Sequence, residues 1–476
     1  MKRGLGVALA VLAWALPGLA AARPVWTDAR SLASAGGNVR VHYTTTGVDA
    51  VLIGDVNGDL VPDYVAEVAA VADTTLANLA SRGFRAPLGD GTLGGDGRFD
   101  IYLINFASAD GHFMGETCSG APRTCSGYIE MENDLVGFSY PTRSEGIQVL
   151  VSHELFHAVQ AAYPGDLPVA WSEGSATWNE EIAFPAQNDF ERLIPSFLAK
   201  TARPFERSGA GFGDLYPYGA ALWPHYLELK FGAGTVRGVF ELAPMEFLDA
   251  ADSVLRGKGS SLGAAFAEFT RWNLMTAERS DPARGWPAAA GWPSVMLEPA
   301  LAGALPLSGE VWVEGLSARY QPIDVEAGAG AQKLRLTATP GGGAEVALGL
   351  YVWDGRQLGE LVEGRAEAGA LLAEVTPGAA TRLFAVVSGV TRGKALAPIA
   401  LKLEVAPAVS PSPKPGGDGG GCAVGVGVGQ GGGEGGGLGL VGLVGLLMVL
   451  GGVIGAQRPR PSTSTSTSTS GRDRVR

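Results

Sequence analysis

The chain has 476 residues, too many for one ordinary domain, because a single core stops growing near roughly 250–300 residues. Its 36 Lys and Arg against 48 Asp and Glu give a net charge of −12, which argues against a nucleic-acid binder with a basic face. Three cysteines exclude a disulfide-rich scaffold and a Cys-ligated zinc finger, and five histidines are few enough that any cluster among them is informative.

Met1–Ala22 carries Lys2 and Arg3, an apolar run from Leu5 to Leu19 and small residues through Ala22. This is the three-part pattern of a secretory signal cleaved after Ala20 to Ala22, so the protein is expected to be exported. Val39, Val41, Tyr43 and Thr45 then alternate with Arg40, His42 and Thr44, the period-2 pattern of a half-buried strand. Asp55, Asn57, Asp59 and Asp63 place oxygen donors at alternate positions. Glycine at the fourth loop position and Ala66 at the twelfth depart from an EF-hand. The segment reads either as a Ca²⁺ site, resembling the Asp-rich loops of dockerin and thrombospondin-type repeats, or as an Asx-rich turn before a helix. That helix runs over about Val61–Ser81, with Val65, Val68, Ala72, Leu76 and Leu79 on one stripe. A strand at Phe99–Phe106 and a shorter one at Gly127–Glu132 flank Cys118 and Cys125. Those two lie in a Gly/Pro-containing loop of an exported chain, and a disulfide between them is expected to contribute roughly 2.5 kcal/mol by closing a small ring.

The chemistry sits between His153 and Glu173. Val149–Gln160 reads VLVSHELFHAVQ and contains H-E-x-x-H at His153, Glu154 and His157. Thr142-x-x-Glu145 is a capping box that starts the helix, and Tyr163-Pro-Gly165 stops it. Four residues along a helix bring both imidazoles to one face, one turn apart, the bite a tetrahedral Zn²⁺ needs. Glu154 lies beside them, placed to act on water. Catalytic zinc has three protein ligands, and Trp171-Ser-Glu-Gly-Ser-Ala-Thr-Trp178 supplies a carboxylate, Glu173, on a helix that can fold back after Pro164, Gly165 and Pro168. Glu180 and Glu181 are alternatives for that position.

H-E-x-x-H followed by Glu173-Gly-Ser-Ala176 resembles the gluzincin metallopeptidases, which pair the motif with a glutamate on a following helix. The resemblance implies zinc held by His153, His157 and Glu173, with Glu154 as general base. Where the thermolysin branch has an aspartate four residues later, this chain has Thr177, so Glu180 is the substitute partner for a ligand histidine. Tyr216-Pro-Tyr-Gly219 resembles the Y-x-x-G that opens a helix in the aminopeptidase branch. That implies Tyr216 as oxyanion donor, with Tyr218 and His225 as alternates. The helix beyond it, about Gly219–Phe231, is expected to kink at Pro224, and another follows at about Leu262–Leu274.

From about Leu305 to Val405, short β-rich runs separated by Gly and Pro read as a β-sandwich, with strands at Glu310–Val313, Lys333–Ala338, Glu345–Trp353, Thr381–Val387 and Ile399–Val405. Residues 406–437 form a Pro/Gly-rich linker around Cys422. Leu438–Ala456 is uncharged and long enough, at roughly 28 Å, to cross a bilayer, and an Arg-bearing Ser/Thr-rich tail follows. Spacer, Cys422, apolar helix and Arg tail resemble the C-terminal sorting signal of myxobacterial surface proteins, with Cys422 as the processing or attachment position.

From roughly Asn38 to Met275, with the C-terminal tail beside it, the chain resembles the surface metalloproteases of myxobacteria and related bacteria. The implied fold is an α+β zincin-like metallopeptidase domain (23–300) followed by an all-β sandwich domain (301–405) and a single C-terminal transmembrane helix (438–456). The implied activity is that of an exported, surface-anchored or released Zn²⁺ endopeptidase acting on protein or peptide substrates. An aminopeptidase is a further reading, since Met131-Glu-Asn133 matches part of that branch's amine-binding run, although Ile129 replaces its glycine. The reading from another class is an inactive zincin-like adhesion or binding protein.

Overall fold

The computed structural model describes residues 22–407 apart from 107–108, 208–212 and 327–328. The signal pattern up to residue 21, Cys422, the apolar segment 438–456 and the Arg tail lie outside the described residues.

The first half builds one mixed sheet from β1 (Arg30–Ala33), β2 (Val39–Tyr43), β3 (Phe99–Ile104), β4 (Gly111–Ser119) and β5 (Thr124–Glu132), in the order β1-β2-β3-β5-β4. β2, β3 and β5 are parallel, while β1 and β4 run antiparallel at the two edges. Helix α1 (Asp63–Ser81) connects β2 to β3 and buries Val65, Val68, Ala72 and Leu79, most of the stripe read from the sequence. β4 and β5 form a hairpin in which Cys118 and Cys125 are cross-strand partners joined by a disulfide.

Two long helices follow. Helix α2 (Arg143–Gln160) starts where Thr142 Oγ1 accepts the Glu145 N–H at 3.1 Å. Ile147, Leu150, Val151 and Leu155 face a core shared with the sheet and α1, while Phe156 and Val159 enter a second, aromatic core. A helix between two cores is buried all round, which explains why its sequence lacks a polar stripe. Pro164, Gly165 (φ 128°) and Pro168 turn the chain, and α3 (Val169–Ala183) packs back against α2. Beyond it lie α4 (Ile194–Leu198), α5 (Tyr216–Gly219), α6 (Leu222–Phe231), α7 (Thr235–Glu241), α8 (Phe247–Gly257) and α9 (Leu262–Leu274). The kink expected at Pro224 is replaced by a break before it, at Ala220–Ala221. Pro224 thus sits in the first turn of α6, where a missing N–H costs nothing.

The C-terminal region packs two five-stranded sheets face to face. One joins β6 (Leu301–Gly303), β8 (Ala318–Val325), β10 (Val346–Trp353), β11 (Val362–Glu363) and β14 (Arg382–Gly389); the other joins β7 (Leu307–Val313), β9 (Leu334–Pro340), β12 (Arg365–Glu367), β13 (Ala370–Val375) and β15 (Ala397–Val405). Leu336, Leu350, Leu383, Val387 and Leu401 are among the side chains that fill the space between them.

This corrects the architecture expected from the sequence, a zincin-like domain followed by a separate all-β sandwich domain. The described residues form one compact α+β unit and, among them, three five-stranded sheets. The first sandwich sheet is covered on its outer face too: Tyr320, Tyr351, Phe384 and Val386 pack with Leu274, Met275 and Val295. Tyr320 donates its hydroxyl to the Thr270 carbonyl at 2.9 Å, and Thr270 Oγ1 meets Ser388 Oγ at 2.6 Å. Among the described residues no helix is long and apolar enough to cross a membrane. The two longest, α1 and α2, carry charged residues such as Asp63, Glu67 and Asp73, or Arg143, Glu145 and Glu154.

Candidate metal centre

His153 and His157 project from α2 toward Glu173 on α3, and all three are buried. The Nε2 atoms of the two histidines lie 3.1 Å apart, and Glu173 Oε2 is 3.2 Å from one and 3.5 Å from the other. Zinc bonds of about 2.0–2.1 Å at tetrahedral angles make ligand–ligand edges of about 3.3–3.4 Å, so the three atoms stand at the separations a tetrahedral zinc requires.

The opposite nitrogen of each imidazole is held. His153 Nδ1 lies 2.7 Å from Glu180 Oε1, so α3 supplies both the Glu173 carboxylate and the group that holds the far side of the His153 ring. His157 Nδ1 lies 2.9 Å from Gln160 Oε1. The Gln160 amide is oriented by its other bonds: Nε2 donates to the Ser172 carbonyl at 2.9 Å and to Ser175 Oγ at 3.0 Å, while Ser172 Oγ donates to Oε1 at 2.9 Å. Oε1 therefore accepts and His157 Nδ1 donates, which turns the Nε2 edge of the ring toward Glu173 and His153. Burial opposes charge on Glu173, but the two histidines outweigh it and hold the carboxyl down to about 2. Burial likewise opposes the charged form of His153, and the Glu173 and Glu180 carboxylates more than offset it, raising its pKa.

Glu154 lies in α2 between the histidines. Its side chain is wholly buried, both oxygens lack a hydrogen-bond partner among the described groups, and burial raises its pKa. It lines a recess of about 30 Å³ together with Asp110, Tyr140, His153, Glu180 and Tyr218. Asp110, just ahead of β4, accepts the Tyr140 hydroxyl on one oxygen and has no partner on the other among the described residues; burial lifts it to about 6.

The two tyrosines of Tyr216-Pro-Tyr-Gly219 separate. Tyr216, named first for the oxyanion, turns into the aromatic core: its ring stacks on Phe197 and its hydroxyl donates to the Arg203 carbonyl at 3.3 Å. Tyr218, one of the alternates, stacks on the His153 ring with centroids 5.8 Å apart, and its phenol hydrogen-bonds Glu173. A four-residue helix turns residues two apart to different sides, so only one could face the histidines. His225, the other alternate, stacks on Phe190 at 4.6 Å, and burial lowers its pKa to about 3. Two glycines set this placement. A Cβ at Gly174 would stand 2.9 Å from the Ala220 carbonyl carbon, and one at Gly219 would stand 2.6 Å from the Leu193 carbonyl oxygen. Backbone against backbone brings α5 onto α3 at Gly174 and onto the start of α4 at Gly219.

Glu181 lies away from the histidines, near the Asp189 and Phe190 amides. Glu132 accepts the Phe106 N–H at 2.8 Å, and Asn133 donates to the Val48 and Ala50 carbonyls, so that pair ties loops together. In the Asp55–Asp63 loop, Asp55 accepts the Gly58, Asp59 and Leu60 N–H groups, Asn57 accepts that of Asp59, Asp59 that of Val61 and Asp63 that of Val56. These are the bonds of an Asx-rich turn, and among the described residues the aspartates do not gather as His153, His157 and Glu173 do. Sequence reasoning missed Gln160 and Asp110. Gln160 stands three residues after His157 on the same helix face, which is the signal that could have found it.

No protein-family model matches the chain, and no curated protein matches it. Among solved structures, the pre-peptidase C-terminal domain of a Bacillus anthracis collagenase is 14% identical, with 23% of this chain and 98% of that one covered and a TM-score of 0.18. PliG, the Aeromonas hydrophila periplasmic inhibitor of g-type lysozyme, is 15% identical over 22% of this chain and 89% of its own, with a TM-score of 0.17. A family GH115 4-O-methyl-α-glucuronidase specific for decorated arabinogalactans is 10% identical over 55% and 40%, with a TM-score of 0.14. Likenesses of this size bear on neither fold nor activity.

Proposed function

We propose that the protein is a zinc-dependent endopeptidase of the gluzincin type. The observation that carries this is the convergence of His153 Nε2, His157 Nε2 and Glu173 Oε2 at zinc-ligand separations beside Glu154, a buried carboxylate with no partner of its own. Bound there, zinc supplies Lewis-acid character that polarises a carbonyl and acidifies water. Glu154 takes a proton from the water that attacks the scissile carbonyl carbon and delivers it to the nitrogen as the C–N bond breaks. Tyr218 is the side chain placed to donate to the oxygen that gains charge in the transition state. The Cys118–Cys125 disulfide fits a protein that works in an oxidising compartment, on protein or peptide substrates.

The test is metal analysis of the purified protein together with peptide hydrolysis. One zinc per chain is expected, lost in Glu173→Ala. Glu154→Gln is expected to keep the zinc and lose turnover by about 10²–10⁴-fold. Absence of zinc from the native protein, or near-native hydrolysis by the Glu154→Gln variant, overturns the proposal.

A further inference from the structure

Of the carboxylates around the recess, most are already committed. Glu180 is bound to His153, and Asp189 is ion-paired with Arg192. Glu154 has the proton-transfer role given above. Asp110 remains: it is fully buried and lines the same recess as Glu154 and Tyr218, one oxygen is taken by Tyr140, and the other has no partner among the described residues. A buried carboxylate oxygen without a partner is costly, and a cation donating to it removes that cost.

We propose, resting on the peptidase reading, that this recess is a substrate subsite for a primary ammonium group, with Asp110 Oδ1 as its acceptor. A volume of about 30 Å³ holds something the size of one or two waters, which admits –NH₃⁺ and excludes a planar guanidinium. A substrate carboxylate would face Asp110 and Glu154, and a neutral donor would fill the hydrogen bond but leave the buried negative charge uncompensated. Two sources offer this chemistry: the ε-amine of lysine, which fits an endopeptidase, and the α-amine of a peptide's first residue, which would narrow the peptidase to an aminopeptidase.

Binding can be read without turnover in the zinc-loaded Glu154→Gln protein by calorimetry with three peptides. These are Ala-Ala-Ala amide, its N-acetyl form, and N-acetyl-Ala-Lys-Ala amide. At least one ammonium-bearing peptide is expected to bind about 10-fold or more tightly than N-acetyl-Ala-Ala-Ala amide. That ratio should collapse when Asp110→Asn is added. Asparagine keeps an acceptor for Tyr140, and a ratio of two affinities on one variant does not depend on how much of it is folded. Preference for the first peptide assigns the α-amine, and preference for the third assigns lysine. Equal affinities, or a ratio untouched by Asp110→Asn, overturn the subsite. If native enzyme cleaves these peptides while the ratio ignores Asp110, the subsite fails and the peptidase stands. If the ratio behaves as expected but the native zinc protein hydrolyses nothing, the subsite stands as a binding site and the peptidase fails.

Discussion

Gln160 bears on the proposed metal site through His157, because its amide oxygen accepts from Nδ1 and so fixes which ring edge turns toward Glu173. Replacing it with methionine keeps much of the volume but frees the imidazole to choose either tautomer. We expect zinc affinity about 10–100-fold weaker in Gln160→Met, read by chelator competition, with zinc still bound at saturating metal. Tyr218→Phe and Tyr216→Phe form a matched pair. The first should lower kcat by about 10²–10³-fold, and the second should leave kcat near native, since its hydroxyl serves only the Arg203 carbonyl. At this scale the meeting of His153 and His157 was legible, because the i, i+4 spacing of H-E-x-x-H is set by the helix repeat alone. The sequence could not separate Tyr216 from Tyr218. Which of two neighbouring tyrosines faces the histidines depends on how tightly α5 sits on α3, and that is fixed by distant backbone.

Among the elements, the α3–α5 contact is the one on which the centre's roof depends. A methyl group at position 174 meets backbone at 2.9 Å and cannot be relieved by a rotamer. Gly174→Ala is therefore expected to destabilise by about 1–3 kcal/mol in denaturant unfolding and to displace Tyr218 from His153. A loss of about 2.5 kcal/mol is expected for the Cys118→Ser/Cys125→Ser double variant, since the bond restrains only a short hairpin ring. Elements with a strong local pattern were legible: α1, α2 and α9 came within two residues of their observed ends. β4 was not seen, because GHFMGETCS is neither alternating nor apolar and owes its strand state to pairing with β5. β8 and β13 escaped for a related reason. Ala318–Val325 contains proline and a buried glutamine, and Gln321 is satisfied only by carbonyls at Pro299 and Pro322.

For the molecule as a whole, buried carboxylates set the response to pH. Burial holds Asp110 at about 6 and Glu132 and Glu181 at about 7, against ordinary values of 3.8 and 4.5. Between those limits the folded chain binds more protons than the unfolded chain, so stability falls as pH rises. We expect the unfolding midpoint of the metal-free protein to decline from about pH 4.5 to pH 7; a midpoint that climbs over this range would contradict these assignments. The two-faced burial of β14, whose residues from Leu383 to Gly389 are all inaccessible, has a consequence for how the chain can be divided. A protease cut near residue 300 would leave a pair of bodies that each carry a raw apolar wound, Leu274 and Met275 on one and Tyr320, Phe384 and Val386 on the other. Neither half is a module that evolution could lend to another protein unaltered, and nicked molecules should stay associated until denaturant separates them.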